Sequence, residues 1–250
     1  MRGMVNETST MAAQARRIAK SRPKVNKRRL GKTTGLKVTA RRERFLIAMA
    51  GLPLIAILRG VKPSEAVAIG EVLVEAGFLM IETPLNSPGP MQSIALLRKH
   101  LPSSVIVGAG TALSVADVER TEQAGGELVV MPHADVAVIR AAEARGLICL
   151  PGVATPTEAF AALNAGAAGL KAFPAEMITP AVLKAWRAVI PKDTLILPVG
   201  GVSPDTMAAY FRAGASGFGL GSALYRPGDA PAAVAANAKR FVDMWRTLKA

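Results

Sequence analysis

From residue 52 onward, short apolar runs alternate with longer, alanine-rich amphipathic segments. Short apolar runs bounded by glycine or proline are typical of buried parallel strands, and the longer segments are typical of helical crossovers between them. The pattern predicts eight strands, at residues 53–58, 78–81, 105–107, 128–131, 147–150, 169–172, 195–199 and 217–220.

Helix signals fall between these strands. Several segments begin with proline directly after a capping Thr or Ser, and several end in Ala-Gly. The predicted helices cover residues 63–76, 90–100, 114–124, 134–145, 156–165, 180–189, 204–213 and 230–248. The repeated strand–helix unit predicts an α/β fold, a TIM (β/α)8 barrel over residues 47–250, and an open doubly wound sheet is the alternative.

The charge is distributed unevenly along the chain. Residues 1–46 hold 14 of the 31 basic residues and two of the 18 acidic ones, so they account for +12 of the net charge of +13. Few large apolar residues accompany these charges, which predicts a basic disordered N-terminal tail over residues 1–46 or a misassigned start, with Met49 a possible later one. A tail that binds RNA or an acidic surface is a further possibility, but no aromatic residues are interleaved with the charges, so nucleic-acid binding is not expected.

The remaining residues number about 200, enough for one well-buried domain. No apolar run reaches the ~20 residues that cross a bilayer, and a cytoplasmic location is expected. The single cysteine, Cys149, lies in an apolar run and is expected to be an inert buried thiol. The two histidines, His100 and His133, belong to no ligand cluster, so no metal is expected.

Three charged residues lie at the C-terminal ends of predicted strands, the end of a parallel barrel where active sites are built. Of the seven lysines after residue 46, only Lys171 lies at the C-terminal end of a strand. Glu82 and Arg59 hold the corresponding positions on two other strands. A lysine that reaches solvent from its strand end, or an ion pair between Glu82 and Arg59 at a loop edge, is the structural alternative.

These three residue types suit one chemistry. A desolvated Lys171 amine has a lowered pKa and can form a Schiff base with a ketone, which allows a C–C bond to break and leave an enamine. Glu82 can remove and return the proton that this reaction requires. Arg59 can hold the carboxylate of a 2-keto acid through its planar fork of donors, and the Thr111 hydroxyl can contact the same acid.

Glycine-rich turns follow the last two predicted strands. Gly200 and Gly201 follow the seventh strand, and Gly221 and Ser222 follow the eighth. These two loops usually bind phosphate in a barrel of this kind, because glycine lets backbone N–H groups approach the phosphate oxygens. Tight strand-to-helix packing is the alternative explanation for the glycines.

Five segments together resemble a known family: residues 55–60 (IAILRG), 81–88 (IETPLNSP), 108–111 (GAGT), 169–174 (GLKAFP) and 199–202 (VGGV). They are similar to the class I aldolases of the 2-dehydro-3-deoxy-phosphogluconate / 4-hydroxy-2-oxoglutarate aldolase family, and the resemblance extends from residue 52 to the C-terminus. It implies a lyase that cleaves a phosphorylated keto-deoxy sugar acid and releases pyruvate, with no cofactor and a homotrimeric assembly.

The resemblance also implies roles for individual residues. Lys171 matches the Schiff-base lysine and Glu82 the acid/base glutamate. Arg59 and Thr111 match the contacts to the pyruvyl end, and the phosphate contacts are matched by Gly200, Gly201, Gly221 and Ser222.

Two departures from the gluconate-type pattern favour the galactonate branch of the family. Asn86-Ser87 stands where Arg-Thr is usual, and Val199 stands where Thr precedes the two glycines. Replacing a hydrogen-bonding Thr by Val is expected to change which orientation of the substrate's C4 hydroxyl is tolerated. Thr83 and the Pro132-His133 pair are less usual, and His133 is expected either to hydrogen-bond substrate or to lie solvated in a loop.

Overall fold

The computed structural model describes the backbone of residues 32–250 and the side chains of residues 40–250. Strands and helices alternate from Leu54 onward, as the sequence pattern predicts. The elements are α1 (Lys32–Gly51), β1 (Leu54–Ile57), α2 (Pro63–Glu75), β2 (Met80–Pro84), α3 (Pro90–His100), β3 (Ile106–Gly110), α4 (Val115–Gln123), β4 (Leu128–Val130), α5 (Val136–Ala144), β5 (Ile148–Leu150), β6 (Gly152–Val153), α6 (Pro156–Asn164), β7 (Leu170–Ala172), α7 (Pro180–Arg187), β8 (Ile196–Pro198), α8 (Pro204–Arg212), β9 (Phe218–Leu220) and α9 (Pro231–Lys249).

The strands are parallel and form two sheets. One has the order β5-β4-β3-β2-β1-β9 and the other the order β6-β7-β8. Backbone contacts join the sheets at both seams: Ala168 N–H donates to the Cys149 carbonyl at 2.9 Å, and Val199 forms a parallel bridge with Gly219. The predicted parallel α/β architecture is confirmed.

Three strands differ most from the sequence prediction, and one of them, β3, runs to Gly110 instead of ending at residue 107. The second strand extends to Pro84 instead of ending at residue 81, so Glu82 lies within it. The predicted fifth strand is followed by a second short strand, β6, and Pro151 separates the two because proline supplies no N–H to a ladder.

Alternation along each strand divides the core in two. Leu54, Ala56 and Ile81 belong to the layer between sheet and helices, whereas Ile55 and Met80 belong to a second cluster enclosed by the strands. Because side chains alternate between faces with a period of two, every second residue of a strand points to the enclosed side. This rule decides where the charged residues of the strands lie.

The N-terminal helix corrects the domain prediction. Residues 32–46 are helical and not disordered, and Phe45, Ala48 and Met49 of α1 are buried in the enclosed cluster. Arg41 and Arg44 bind Glu127, which directly precedes β4, so α1 covers the N-terminal ends of the strands. Helical spacing of the three apolar residues places them on one face, and their burial stabilises the helix against the sheet. The rest of the predicted tail lies outside the described residues.

Two findings concern residues 32–250 as a whole. No helix in this part of the chain is long and apolar enough to cross a membrane. The same residues contain no group of three or more His, Cys, Asp or Glu side chains arranged to hold a metal ion.

Cys149 is a buried free thiol, and burial raises its pKa to about 12.

Candidate active site

Lys171 is enclosed by the strands. Its neighbours Leu170 and Ala172 on β7 belong to the outer layer, so Lys171 points to the opposite, inner side. The residue is 5% exposed, and its Nζ lies 4.3 Å from the centroid of the Phe173 ring. Burial lowers the pKa of the amine, and although the charge of Glu82 opposes this shift, the charge of Arg59 adds to it. Burial thus moves the amine toward its neutral, nucleophilic form, and the alternative of a solvated lysine at a strand end is wrong.

Glu82 points to the same inner side from β2. It follows Met80 by two residues, and Met80 belongs to the enclosed cluster. The carboxyl group lies on the backbone of Gly110, where a Cβ would come within 1.6 Å of Oε2. Glycine at position 110 is thus required for space, because any side chain there would displace the carboxyl group.

One oxygen of the Glu82 carboxyl lacks a hydrogen-bond partner within the described part of the chain. The residue is 1% exposed, and its Oε2 is buried with no hydrogen-bond partner among the described residues. Burial raises the pKa of Glu82 to about 7, against the opposing charges of Lys171 and Arg59. A carboxyl that titrates near neutrality can both take up and release a proton at working pH, which suits a general acid/base.

Arg59 and Thr111 lie together just beyond the C-terminal ends of β1 and β3. Arg59 donates to Oδ1 of Asn86 at 2.7 Å and to Oγ1 of Thr111 at 3.5 Å. Thr111 adopts a left-handed backbone conformation with φ of 56°, which costs a residue other than glycine about 1–3 kcal/mol. Such strain is concentrated at functional sites, and here it holds the Thr111 hydroxyl beside the Arg59 guanidinium.

The two glycine turns are neighbours, because the bridge between Val199 and Gly219 places the ends of β8 and β9 side by side. Gly200 and Gly201 have φ values of 113° and 59°, a conformation that favours glycine. Gly221 differs, because a Cβ there would meet no atom within 4 Å, and the Ser222 side chain is exposed.

The structure brings the predicted residues together in two groups. Lys171 and Glu82 are close enough to shift each other's pKa values, the charge of Arg59 acts on both, and Arg59 also contacts Thr111. The second group consists of Gly200, Gly201, Gly221 and Ser222 at the adjoining ends of β8 and β9. The alternative ion pair between Glu82 and Arg59 is not formed, since Arg59 bonds Asn86 and Thr111 instead.

Sequence reasoning missed three contributors to this site. Asn86 orients Arg59, Gly110 makes room for Glu82, and the carboxylate of Glu176 covers the turn at Gly200 and Gly201. The alternation rule could have found Gly110, which lies on the inner face two residues after Gly108. Nδ1 of His133 is buried without a hydrogen-bond partner among the described residues, so the choice between its two predicted roles stays open.

Comparisons with known proteins agree with this geometry. The chain is 52% identical over 176 residues to a probable 2-dehydro-3-deoxy-6-phosphogalactonate aldolase of Rhizobium meliloti (strain 1021), covering 70% of this chain and 83% of the relative. It is 44% identical over 195 residues to the 2-dehydro-3-deoxy-6-phosphogalactonate aldolase of Escherichia coli (strain K12), covering 78% of this chain and 95% of that protein.

A solved structure described as a native KDPGal structure superimposes with a TM-score of 0.78 at 43% identity, covering 79% of this chain and 96% of that one. The family model described as KDPG and KHG aldolase matches residues 47–232. By these matches, the chain belongs to the KDPG and KHG aldolase family.

Proposed function

We propose that this protein is a class I aldolase that cleaves 2-dehydro-3-deoxy-6-phospho-D-galactonate to pyruvate and D-glyceraldehyde 3-phosphate. The observation that carries the proposal is the enclosed pair of Lys171 and Glu82, whose pKa values burial moves in opposite directions. The relatives that act on this substrate support the choice of reaction. The reaction belongs to galactonate catabolism.

In the proposed reaction, the neutral amine of Lys171 adds to the C2 ketone and water is lost, which gives a protonated imine. Glu82 removes the proton of the C4 hydroxyl, directly or through a water molecule, as the C3–C4 bond breaks. The bonding electrons pass to C3 and on to the iminium nitrogen, which gives an enamine, and the aldehyde leaves. Glu82 returns the proton to C3, and water hydrolyses the imine to release pyruvate and free Lys171.

Substrate orientation is assigned to the rest of the site. Arg59, held by Asn86, binds the C1 carboxylate together with the Thr111 hydroxyl. Backbone N–H groups of Gly200 and Gly201, with Gly221 and Ser222, bind the phosphate at the other end. This arrangement requires that the strand ends converge on one mouth, so we assign the two joined sheets to one closed (β/α)8 barrel.

The galactonate preference is assigned to Val199. A Cβ built at Gly219 would lie 2.7 Å from Cγ2 of Val199 and 3.4 Å from Cδ1 of Ile57, so Val199 faces the enclosed side at the mouth. An apolar side chain there offers no hydrogen bond to the C4 hydroxyl. The gluconate epimer is the alternative substrate.

One assay tests the proposed reaction and its epimer preference together. Pyruvate release from each purified epimer is coupled to lactate dehydrogenase, with the wild type, Lys171→Met and Val199→Thr compared. We expect a higher kcat/KM on the galactonate epimer, no release by Lys171→Met, and a shift toward the gluconate epimer in Val199→Thr. Preference for the gluconate epimer in the wild type would reassign the substrate, and no release from either would contradict the reaction.

We also assign a homotrimer to this chain. Exposed apolar side chains such as Met177, Leu113 and Phe160, which are 69%, 55% and 40% exposed, supply surface for contacts between subunits. Light scattering after gel filtration tests this assembly, and the mass of a single chain would contradict it.

The cytoplasmic location stays a prediction. Arg41 and Arg44 are engaged within the fold, so RNA binding by the N-terminal segment could draw only on its other basic residues.

A further inference from the structure

The carboxylate of Glu176 covers the turn assigned to phosphate. A Cβ at Gly200 would lie 2.5 Å from Oε2 of Glu176, and one at Gly201 would lie 3.0 Å from Oε1. Both carboxylate oxygens therefore rest against the two glycines whose positive φ values open the backbone of this turn. Only residues without a side chain allow so close an approach.

Backbone contacts fix the segment that carries Glu176. Ala175 N–H donates to the Val199 carbonyl at 2.8 Å, and the Tyr210 hydroxyl donates to the Ala175 carbonyl at 2.7 Å. The loop after β7 is thus tied to the end of β8 on one side and to α8 on the other. Glu176 can leave the turn only by rotation of its side chain, because its backbone is held.

Nothing comparable holds the carboxylate itself. Glu176 is exposed, and within residues 40–250 no side chain or backbone N–H forms a hydrogen bond or ion pair with its carboxylate. The charge of Glu176 acts on a neighbouring hydroxyl: burial raises the pKa of Tyr210, and the negative charge of Glu176 raises it further. An exposed carboxylate without a fixed partner can move into solvent at little cost.

A carboxylate and a phosphate cannot both occupy this turn. Phosphate oxygens would approach the backbone of Gly200 and Gly201, where the Glu176 oxygens already lie. Two anions about 4 Å apart near a protein surface also repel each other appreciably. A phosphate group can bind here only after Glu176 has rotated away.

We propose that Glu176 weakens anion binding at the phosphate end of the site, so that a free anion without a second anchor does not occupy it. This inference rests on the proposed function. A complete substrate is held at its other end by Lys171 and Arg59 and can displace Glu176, whereas inorganic phosphate has no second anchor and is rejected. The residue thereby keeps inorganic phosphate out of the turn at concentrations at which a phosphorylated 2-keto acid, with its second anchor, still binds.

The test is calorimetric titration of inorganic phosphate into the wild type, Glu176→Gln and Asp205→Asn. Gln keeps the shape of the side chain and removes its charge. Asp205 is an exposed carboxylate in the first turn of α8, close after the glycine turn, so its substitution controls for a general loss of negative charge. We expect Glu176→Gln to bind phosphate roughly tenfold more tightly, as removal of about 1.4 kcal/mol of repulsion gives, and Asp205→Asn to bind as the wild type does.

A salt series and a pyruvate control complete the experiment. The difference in phosphate affinity between the wild type and Glu176→Gln becomes smaller as ionic strength rises, because salt screens charge repulsion. Reductive trapping of pyruvate on Lys171 proceeds equally in all three proteins. Unchanged or weaker phosphate binding by Glu176→Gln, or an equal gain in Asp205→Asn, would overturn the inference. Failure of the wild type to form the pyruvate adduct would instead overturn the proposed function.

Discussion

Two glutamates of this protein lie close to cations, but Glu82 is fully buried and Glu127 only partly, and they differ also in hydrogen bonding. Glu127, before β4, accepts hydrogen bonds from Arg44 at 2.5 and 3.0 Å and from Arg41 at 3.2 Å. Glu82, within β2, has an oxygen with no partner among the described residues. Burial pulls both pKa values upward, but the hydrogen bonds and charges of Arg44 and Arg41 hold the pKa of Glu127 below its ordinary value. The pKa of Glu82 rises to about 7.

The comparison teaches that a carboxylate becomes reactive where burial is complete and hydrogen bonds are missing, and structural where contacting guanidinium groups supply those bonds. At Glu127 the cations are in contact and complete the attachment of α1 across the N-terminal ends of the strands. At Glu82 the cations act at longer range, which leaves the carboxyl free to exchange a proton with a substrate. The N-terminal ends of the strands thus contribute to stability, and the C-terminal ends carry the reactive groups.

The largest expected effect is on catalysis by Glu82→Gln. An amide has the shape of the carboxyl but cannot take up the hydroxyl proton, so we expect kcat for cleavage to fall roughly 10²- to 10⁴-fold. Glu127→Gln is the matched control and should retain the wild-type kcat. Steady-state kinetics on the galactonate epimer measures both, and a comparable loss of kcat in the two variants would break the distinction.

The free energy of unfolding should depend on Glu127, the glutamate that we expect not to affect kcat. Glu127→Gln leaves the guanidinium groups of Arg41 and Arg44 without their charge partner, so we expect it to lower the free energy of unfolding by about 3 kcal/mol. Urea denaturation at neutral pH measures this loss. If Glu127→Gln were as stable as the wild type, the pairing would contribute nothing to the attachment of α1.

Gly110→Ala tests the space that Glu82 requires. The new Cβ would come within 1.6 Å of the carboxyl oxygen, so Glu82 must shift and kcat should fall roughly hundredfold. Gly51→Ala in α1 is the control, because a Cβ there meets no atom within 4 Å. Wild-type kcat in Gly110→Ala would show that the position of the Glu82 carboxyl does not matter.

The two glutamates should also give different pH profiles of stability. Glu82 has a folded-state pKa near 7 against an ordinary value of 4.5, so its favourable contribution is fully present below pH 4.5 and is lost as the pH rises through 7. The Glu82→Gln variant has no carboxyl to titrate at this position, so it does not lose this stability as the pH rises. We therefore expect Glu82→Gln to gain about 2 kcal/mol relative to the wild type between pH 5 and pH 8.

Glu127→Gln should show no such gain over the same interval. Its folded-state pKa is lowered, so its contribution is present throughout that range and is lost only at more acidic pH. Urea denaturation of the wild type and both variants at the two pH values decides the matter. Parallel profiles for the two variants would contradict the raised pKa of Glu82.

The sequence predicted the parts of this molecule that depend on local pattern. Strand–helix alternation gave the parallel architecture, and the rule that parallel strands end at a common edge brought Lys171, Glu82 and Arg59 together. The helix α1 was missed although Phe45, Ala48 and Met49 have helical spacing, because the predicted tail ended at residue 46 and divided that signal. The stabilising partner of α1, Glu127, lies more than 80 residues away in the chain.

Contacts between loops that are distant along the chain could not be predicted from the sequence. Asn86 and Thr111 meet Arg59 only because three strands end side by side. Glu176 reads as an ordinary loop carboxylate, and its position over Gly200 follows from the way two loops are tied together. The raised pKa of Glu82 depends on burial and on a missing partner, and neither is visible in the residues that flank it.

Reductive trapping of pyruvate tests the central claim most directly. The wild type and Lys171→Met are incubated with pyruvate and sodium borohydride, and peptide mass mapping locates any reduced adduct. We expect one adduct in the wild type, carried by Lys171, and none in Lys171→Met. An adduct on another lysine, or none in the wild type, would contradict a nucleophilic amine at Lys171.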